Sequence, residues 1–286
     1  MNGCRRPAAV ITIWNNRRVN PPPDPVHHAA ATGFAREADR YARGRPEYPE
    51  ALTGWLREAL GLGPGTTVAD VGAGTGKFTR LLQATGARVL AVEPVAAMRS
   101  QLAAALPQVT TVDAPAQSLP FADGSLDAIV CAQAFHWFAT VDALRSFHRV
   151  LGPGGRLGLV WNVRDESVDW VQAITDLITP YEGEAPRFHK GDWQRPFAHG
   201  GFTPLVETTF AHRHTGPARE VIIDRFMSVS FIAALPAAGQ ADVQRRLQAL
   251  IDGDARLRGD AIVDFPYLTR AFVAIREPLP PSPAND

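Results

Sequence analysis

Cysteine is almost missing from this chain: Cys4 and Cys131 are its only two thiols in 286 residues. One lies near the N-terminus and one inside an apolar run, so they make neither a disulfide framework nor a zinc site, and they fit a reducing compartment. A cytoplasmic location is the expectation. Net charge is missing too, since 29 Lys and Arg offset 29 Asp and Glu. That removes the electrostatic pull expected of a general nucleic-acid or membrane-surface binder. No apolar run has the length of a membrane span; Pro7–Trp14, behind Arg5 and Arg6, is too short for one and is a poor secretory signal. What remains is an ordinary globular composition, 45% apolar and 20% charged, in a length that suits one large domain with a modest elaboration.

Residues 1–32, with the run Pro21-Pro22-Pro23-Asp24-Pro25, read as a disordered leader, and 277–286 as a Pro-rich disordered tail. Between them, short apolar runs alternate with helical stripes. Strands are expected at Thr66–Val71, Arg88–Val92, Val109–Val112, Leu126–Ala132 and Arg156–Trp161. Helices are expected at Pro49–Leu60, through Phe78, Leu81 and Leu82, at Val95–Leu106 and at Asp142–Leu151, the last stopped by Gly152-Pro153-Gly154-Gly155. This alternation implies an α/β fold, a doubly wound and mostly parallel sheet covered on both faces. After Asn162 the pattern changes: helices at Trp170–Ile178, Ala218–Phe231 and Ala241–Ile251, with strands at Pro204–His212 and Ile262–Ile275, bring the sheet to seven strands. The organisation expected is a cofactor-binding core over 33–162, then lid helices and the final strands of the same domain over 163–276.

The most informative stretch is Val68-Ala69-Asp70-Val71-Gly72-Ala73-Gly74-Thr75-Gly76-Lys77. Its glycines let the backbone leave a strand sharply and approach a ligand where the next helix presents unpaired N–H groups. The spacing Gly72, Gly74, Gly76 is not the G-x-G-x-x-G of dinucleotide binders, which would need glycine at Lys77. Asp70 aims a carboxylate at the crevice. It would repel a pyrophosphate but suits the ammonium and sulfonium of S-adenosylmethionine. The next strand ends in Glu93, roughly 20 positions on, where such folds place the carboxylate that holds the ribose hydroxyls. Pro94 and Val95 offer no arginine for a 2′-phosphate. A nicotinamide oxidoreductase is therefore the weaker alternative.

Asp70–Gly76, Glu93-Pro94, Ala116–Asp127 and His148–Gly155 together resemble the class I methyltransferases of the small-molecule type 11 group, over about residues 34–276. The resemblance implies a Rossmann-like fold, S-adenosylmethionine as cofactor, Ala116 and Gln117 flanking the adenine, and Gln133 beside the methionine moiety. Tyr41-x-x-x-Arg45-Pro46-x-Tyr48-Pro49, Gln133–Phe138 and Leu159–Glu166 are similar to a bacterial and fungal subgroup related to trans-aconitate methyltransferases. The segment Tyr41–Arg45 is then expected to fold over the cofactor, with Arg45 available to an acidic substrate. DNA amino-methyltransferases carry an Asn/Asp-Pro-Pro-aromatic sequence where this chain reads Ala132-Gln133-Ala134-Phe135, so a small-molecule acceptor is expected.

Methyl transfer asks mainly for alignment and exclusion of water. A carboxylate acceptor needs no base; a hydroxyl gains about two to four orders of magnitude from one. His136, just past the fourth strand, is the candidate base, and Trp137 a candidate wall of the acceptor site; packing beneath the lid is the competing role for both. His212 and His214 alternate along a strand without a third ligand at useful spacing, so no metal is expected. A methyltransferase acting on nucleic acid or protein, or a module that binds the cofactor without transferring its methyl, remain the other readings.

Overall fold

The computed structural model describes residues 46–259 and 261–279; the expected leader, most of the expected tail, Tyr41 and Arg45 lie outside them. Helix α1 (Leu52–Glu58) buries the stripe Leu52, Trp55 and Leu56. Then come β1 (Thr67–Val71), α2 (Lys77–Gln83), β2 (Arg88–Val92), α3 (Ala96–Ala105), β3 (Thr110–Val112), β4 (Leu126–Ala132), α4 (Val141–Val150) and β5 (Leu151–Arg164). Thr140 starts α4 by accepting the amide of Ala143, the side-chain cap that a helix N-terminus favours. The second half supplies α5 (Asp169–Ile178), β6 (Val206–Pro217), α6 (Ala237–Gly253) and β7 (Ile262–Ile275).

The seven strands form one sheet in the order β3-β2-β1-β4-β5-β7-β6. β1 through β5 pair in parallel, and β7 runs antiparallel to β5 and β6. This is the mostly parallel, Rossmann-like sheet with flanking helices that the alternation implied. The parallel strands bury both faces, which is why β4 is nearly all apolar. Winding starts outward from β1 to β3, then reverses to β4 and β5, so a crevice opens at the C-terminal ends of β1 and β4, where such sheets bind ligands.

Two apolar clusters cover the faces of the parallel sheet; a third lies beneath the later helices, built from α5, α6, the start of β7 and the segment around Phe226. The part of the chain after β5 thus carries its own core, with Trp170, Ile174, Phe226, Val243, Leu247 and Phe265 all buried.

Two local expectations change. Gly152–Gly155 does follow the end of α4, but it lies within the bounds of β5. Leu151 pairs with Leu126 and Arg156 with Ala128, so the four residues bulge from the ladder. Ala218–Phe231 is not one helix. It divides into a π-helical turn, Arg219–Asp224, and the short helices Arg225–Met227 and Ser230–Ala233. Val221, Ile222 and Ile223 are all buried. Three consecutive apolar residues are too wide for an α-helical stripe, and the looser π turn seats them together.

Candidate active site

The turn after β1 is shaped by left-handed backbone. Gly72 has φ +76°, and a Cβ there would meet the Ala134 Cβ at 2.6 Å, so only glycine fits beneath the β4 loop. Gly76, φ +87°, opens α2. Asp70, the residue before the last of β1, is 1% exposed. Its Oδ2 accepts the Thr79 hydroxyl at 2.7 Å, while Oδ1 is buried without a hydrogen-bond partner. Burial is the main reason its pKa rises from 3.8 to about 7; the Thr79 hydrogen bond opposes the rise and the Glu93 charge adds to it.

Glu93, at the end of β2, is held by the turn it faces. Its Oε2 accepts the Gly74 amide and its Oε1 the Val95 amide, each at 2.8 Å. Two backbone donors fix the carboxylate while the Glu93 carbonyl accepts from Arg99 at 2.7 Å. Ala116 is buried and Gln117 half-buried on the turn after β3. Asp70, the glycine turn, Glu93, Ala116, Gln117 and Gln133 therefore rise from the same edge of the sheet, on consecutive strand ends.

Gln133 is the sole non-glycine residue of positive φ among the described residues, at +58°. Its amide donates to the Val160 carbonyl at 2.8 Å and its side chain to the Asn162 carbonyl at 3.1 Å, tying the strained residue to β5. Asn162 in turn donates to the Glu47 carbonyl and accepts the Thr269 hydroxyl at 2.6 Å. It joins β5, β7 and the segment before α1 at one point. Gln133 and Asn162 line the narrow cleft over Asp70 and the glycine turn. They also line a second cavity of about 430 Å³, whose walls include His136, Trp137, Arg164 and Arg187. The two spaces share Gln133, Asn162 and Arg225.

His136 sits in the turn Phe135–Trp137, and the Trp161 indole N–H donates to its Nδ1 at 3.1 Å. An indole N–H can only donate, so Nδ1 must accept, and the neutral ring carries its proton on Nε2. To act as a base through Nδ1 the ring would first have to lose Trp161. The ring is thus fixed in the cavity wall by Trp161. Trp137 lies beside it, with ring centroids 5.1 Å apart, and the Arg187 guanidinium is 5.4 Å from the Trp137 ring.

His212 and His214 face inward along β6, half-buried, and burial lowers both pKa values, that of His214 to about 4. Among the described residues no group of three metal-ligating side chains comes together, and no helix is long and apolar enough to cross a membrane.

Sequence reasoning missed Asn162, Arg164 and Arg225. Arg225 left a trace: it occupies an apolar stripe with Val221, Ile222, Phe226 and Val229, an unusual place for a charge.

The methyltransferase-domain family Methyltransf_11 matches residues 69–159, from β1 into β5. An uncharacterized methyltransferase of Mycobacterium tuberculosis (strain H37Rv) is 44% identical over 82% of this chain and 92% of its own. A methyltransferase-like protein of Schizosaccharomyces pombe is 32% identical over 86% of this chain and 96% of its own. The structure of a putative type II methyltransferase from Anaeromyxobacter dehalogenans superposes with a TM-score of 0.57 at 26% identity, covering 81% of this chain and 96% of that one. Fold, glycine turn and relatives agree: the chain belongs to the class I S-adenosylmethionine-dependent methyltransferases, in the Methyltransf_11 family.

Proposed function

We propose that this chain binds S-adenosylmethionine over Asp70–Gly76 and transfers its methyl group to an oxygen, carboxylate or hydroxyl, of a small molecule held in the adjoining cavity. The observation that carries the reading is Asp70 Oδ1, a buried acceptor with no partner, beside a glycine turn that opens a helix. A cationic ligand supplies what that oxygen lacks, and a pyrophosphate would not. S-adenosylmethionine carries its methyl on a sulfonium, so the C–S bonding pair returns to sulfur as the acceptor atom takes the methyl.

The chain's own residues hold and align. Asp70 meets positive charge, Glu93 holds the ribose hydroxyls, Ala116 and Gln117 flank the adenine, and Gln133 borders the methionine moiety. Alignment of this kind is worth roughly 7–11 kcal/mol of barrier. Gln133 and Asn162 stand where the two spaces meet, and Trp137 and Trp161 form an apolar wall that keeps water from the reacting atoms. With Nδ1 of His136 accepting from Trp161, a carboxylate acceptor, which has no proton to remove, suits this wall better than a hydroxyl. Tyr41 and Arg45 belong to the proposal through the resemblance of the segment Tyr41–Pro49 to the trans-aconitate methyltransferase-related subgroup. The 430 Å³ cavity suits a small acceptor rather than a protein or nucleic-acid strand. A cytoplasmic site of action is part of the same proposal.

Calorimetry with S-adenosylmethionine, S-adenosylhomocysteine, NAD and NADP tests it. The first two bind and the nicotinamide cofactors do not; tighter binding of NAD overturns the reading. Release of S-adenosylhomocysteine in the presence of an acceptor separates a transferase from a cofactor-binding module.

A further inference from the structure

We infer that the acceptor cavity holds a carboxylate or phosphate group of the acceptor against Arg225, an inference that rests on the methyl-transfer reading above. Arg225 is 7% exposed, and its Nε and Nη1 are buried with no hydrogen-bond partner. No carboxylate among the described residues pairs with it. The Phe226 ring lies beside it, 5.6 Å from the guanidinium carbon to the ring centroid. A buried guanidinium left this way is costly unless something supplies the missing acceptors. Its planar fork of donors matches a carboxylate or phosphate.

The surroundings sharpen the case. Arg225 follows the π-helical turn directly, and such turns recur at functional positions because they re-aim a side chain that a regular helix would bury differently. The cavity's own acids are committed elsewhere. Glu166 accepts from Thr175 at 2.9 Å and lies 3.5 Å from Arg164. Glu182 Oε1, which makes no hydrogen bond, lies 3.2 Å from His189 and 3.5 Å from Lys190 and so faces other cations, and Asp176 accepts from Gln172 at 2.8 Å. Burial first, and then the Arg225 charge, lower the pKa of Arg164, and with Arg187 three guanidinium groups line this cavity. Nearby His214, its pKa lowered to about 4 by burial first and then by the Arg225 charge, is neutral at physiological pH and adds no positive charge to this wall.

Arg225 also borders the cofactor cleft, and the cofactor carries a carboxylate of its own. Two further cations favour the acceptor: Arg164 and Arg187 line the acceptor cavity but not the cofactor cleft, whose own Lys77 is paired with Glu47 at 3.0 Å. Arg225 is thus placed at the junction, where an anionic end of the acceptor would be anchored beside the methionine moiety.

The test is calorimetry on the full chain saturated with S-adenosylhomocysteine, titrated with sodium succinate, inorganic phosphate and neutral succinamide. One anion is expected to bind and succinamide not to; which anion binds distinguishes a carboxylate acceptor from a phosphorylated one. Arg225→Gln is expected to weaken that anion tenfold or more while S-adenosylhomocysteine affinity stays within threefold. An equal loss of S-adenosylhomocysteine affinity assigns Arg225 to the cofactor and overturns the inference. So does anion binding that ignores the substitution. Arg225→Met guards against a purely structural role: removing an uncompensated buried charge is expected to leave the melting temperature of the ligand-free chain unchanged or higher, and a drop of several degrees overturns the inference. A chain that binds S-adenosylhomocysteine but neither anion sinks this inference alone. One that binds no S-adenosylhomocysteine sinks the methyl-transfer reading with it.

Discussion

Asp70→Asn should make the ligand-free protein more stable and a worse cofactor binder at once. The Asp70 pKa stands at about 7 instead of 3.8, so between those values the folded chain keeps a proton that the unfolded chain has released. Folded stability is therefore lost as pH rises through about 4 to 7. Three pH units at about 1.4 kcal/mol each make the full cost about 4 kcal/mol at pH 8. Asparagine removes that cost and still accepts from Thr79. Its amide N–H groups then stand where Oδ1 has no partner, which returns about 1–3 kcal/mol. The net gain expected is about 1–3 kcal/mol at pH 8, or several degrees in melting temperature for a chain of this size. The gain should shrink as pH falls toward 4, where the unfolded carboxyl begins to regain the proton that the folded one has kept. Thermal melts of both proteins across that range measure it.

Cofactor binding carries the opposite sign. A cationic ligand binds the ionised carboxylate, so S-adenosylmethionine affinity of the wild type should rise about tenfold per pH unit below 7 and level off above it. The asparagine variant should lack that slope and bind about 100-fold more weakly at pH 8, since a buried charge-assisted contact is lost. An asparagine variant that melts below the wild type at pH 8, or binds S-adenosylmethionine equally well, refutes the reasoning.

Three further outcomes are expected. Glu93→Ala should weaken S-adenosylhomocysteine binding by about 1.5–3 kcal/mol, measured by calorimetry, because the ribose loses its acceptor and the Gly74 amide its anchor. Gly72→Ala should destabilise the fold by about 2–4 kcal/mol, whereas Gly154→Ala, at φ +72° with open space around its missing Cβ, should lose only about 1–2 kcal/mol; denaturant melts compare strain plus clash with strain alone. The nitrogen-15 NMR signals of the His136 ring should show the proton on Nε2, and His136→Ala should slow turnover by less than about tenfold, where loss of a general base would cost about 100-fold or more.

The sheet was legible because its signals are local. Arg88–Val92, Leu126–Ala132 and Ile262–Ile275 form strands at the bounds their apolar runs set. A fold whose strands alternate with helices and wind by a right-handed rule leaves little else to decide. The glycine turn was legible for a related reason. A left-handed backbone at Gly72 and Gly76 demands a residue without a Cβ, and that demand is written in single letters. The helix expected at Ala218–Phe231 failed because stripe reading assumes an α-helical period, and the buried triplet Val221-Ile222-Ile223 forces a wider turn.

The chemistry of the side chains was less legible, because it is decided by partners far apart in sequence. The tautomer of His136 is set by Trp161, 25 residues later, and Asn162 is fixed by Glu47 and Thr269, 115 and 107 residues away. No local pattern encodes those pairs. Arg225 is the intermediate case. Periodicity places it on an apolar stripe, where the cost of burying a guanidinium demands a compensating group. A single sequence can thus mark the position as one that needs a counter-charge, and it takes the fold to show that no carboxylate among the described residues provides one. Charges that break an apolar stripe are for that reason the place where pattern reading and pocket geometry inform each other most directly.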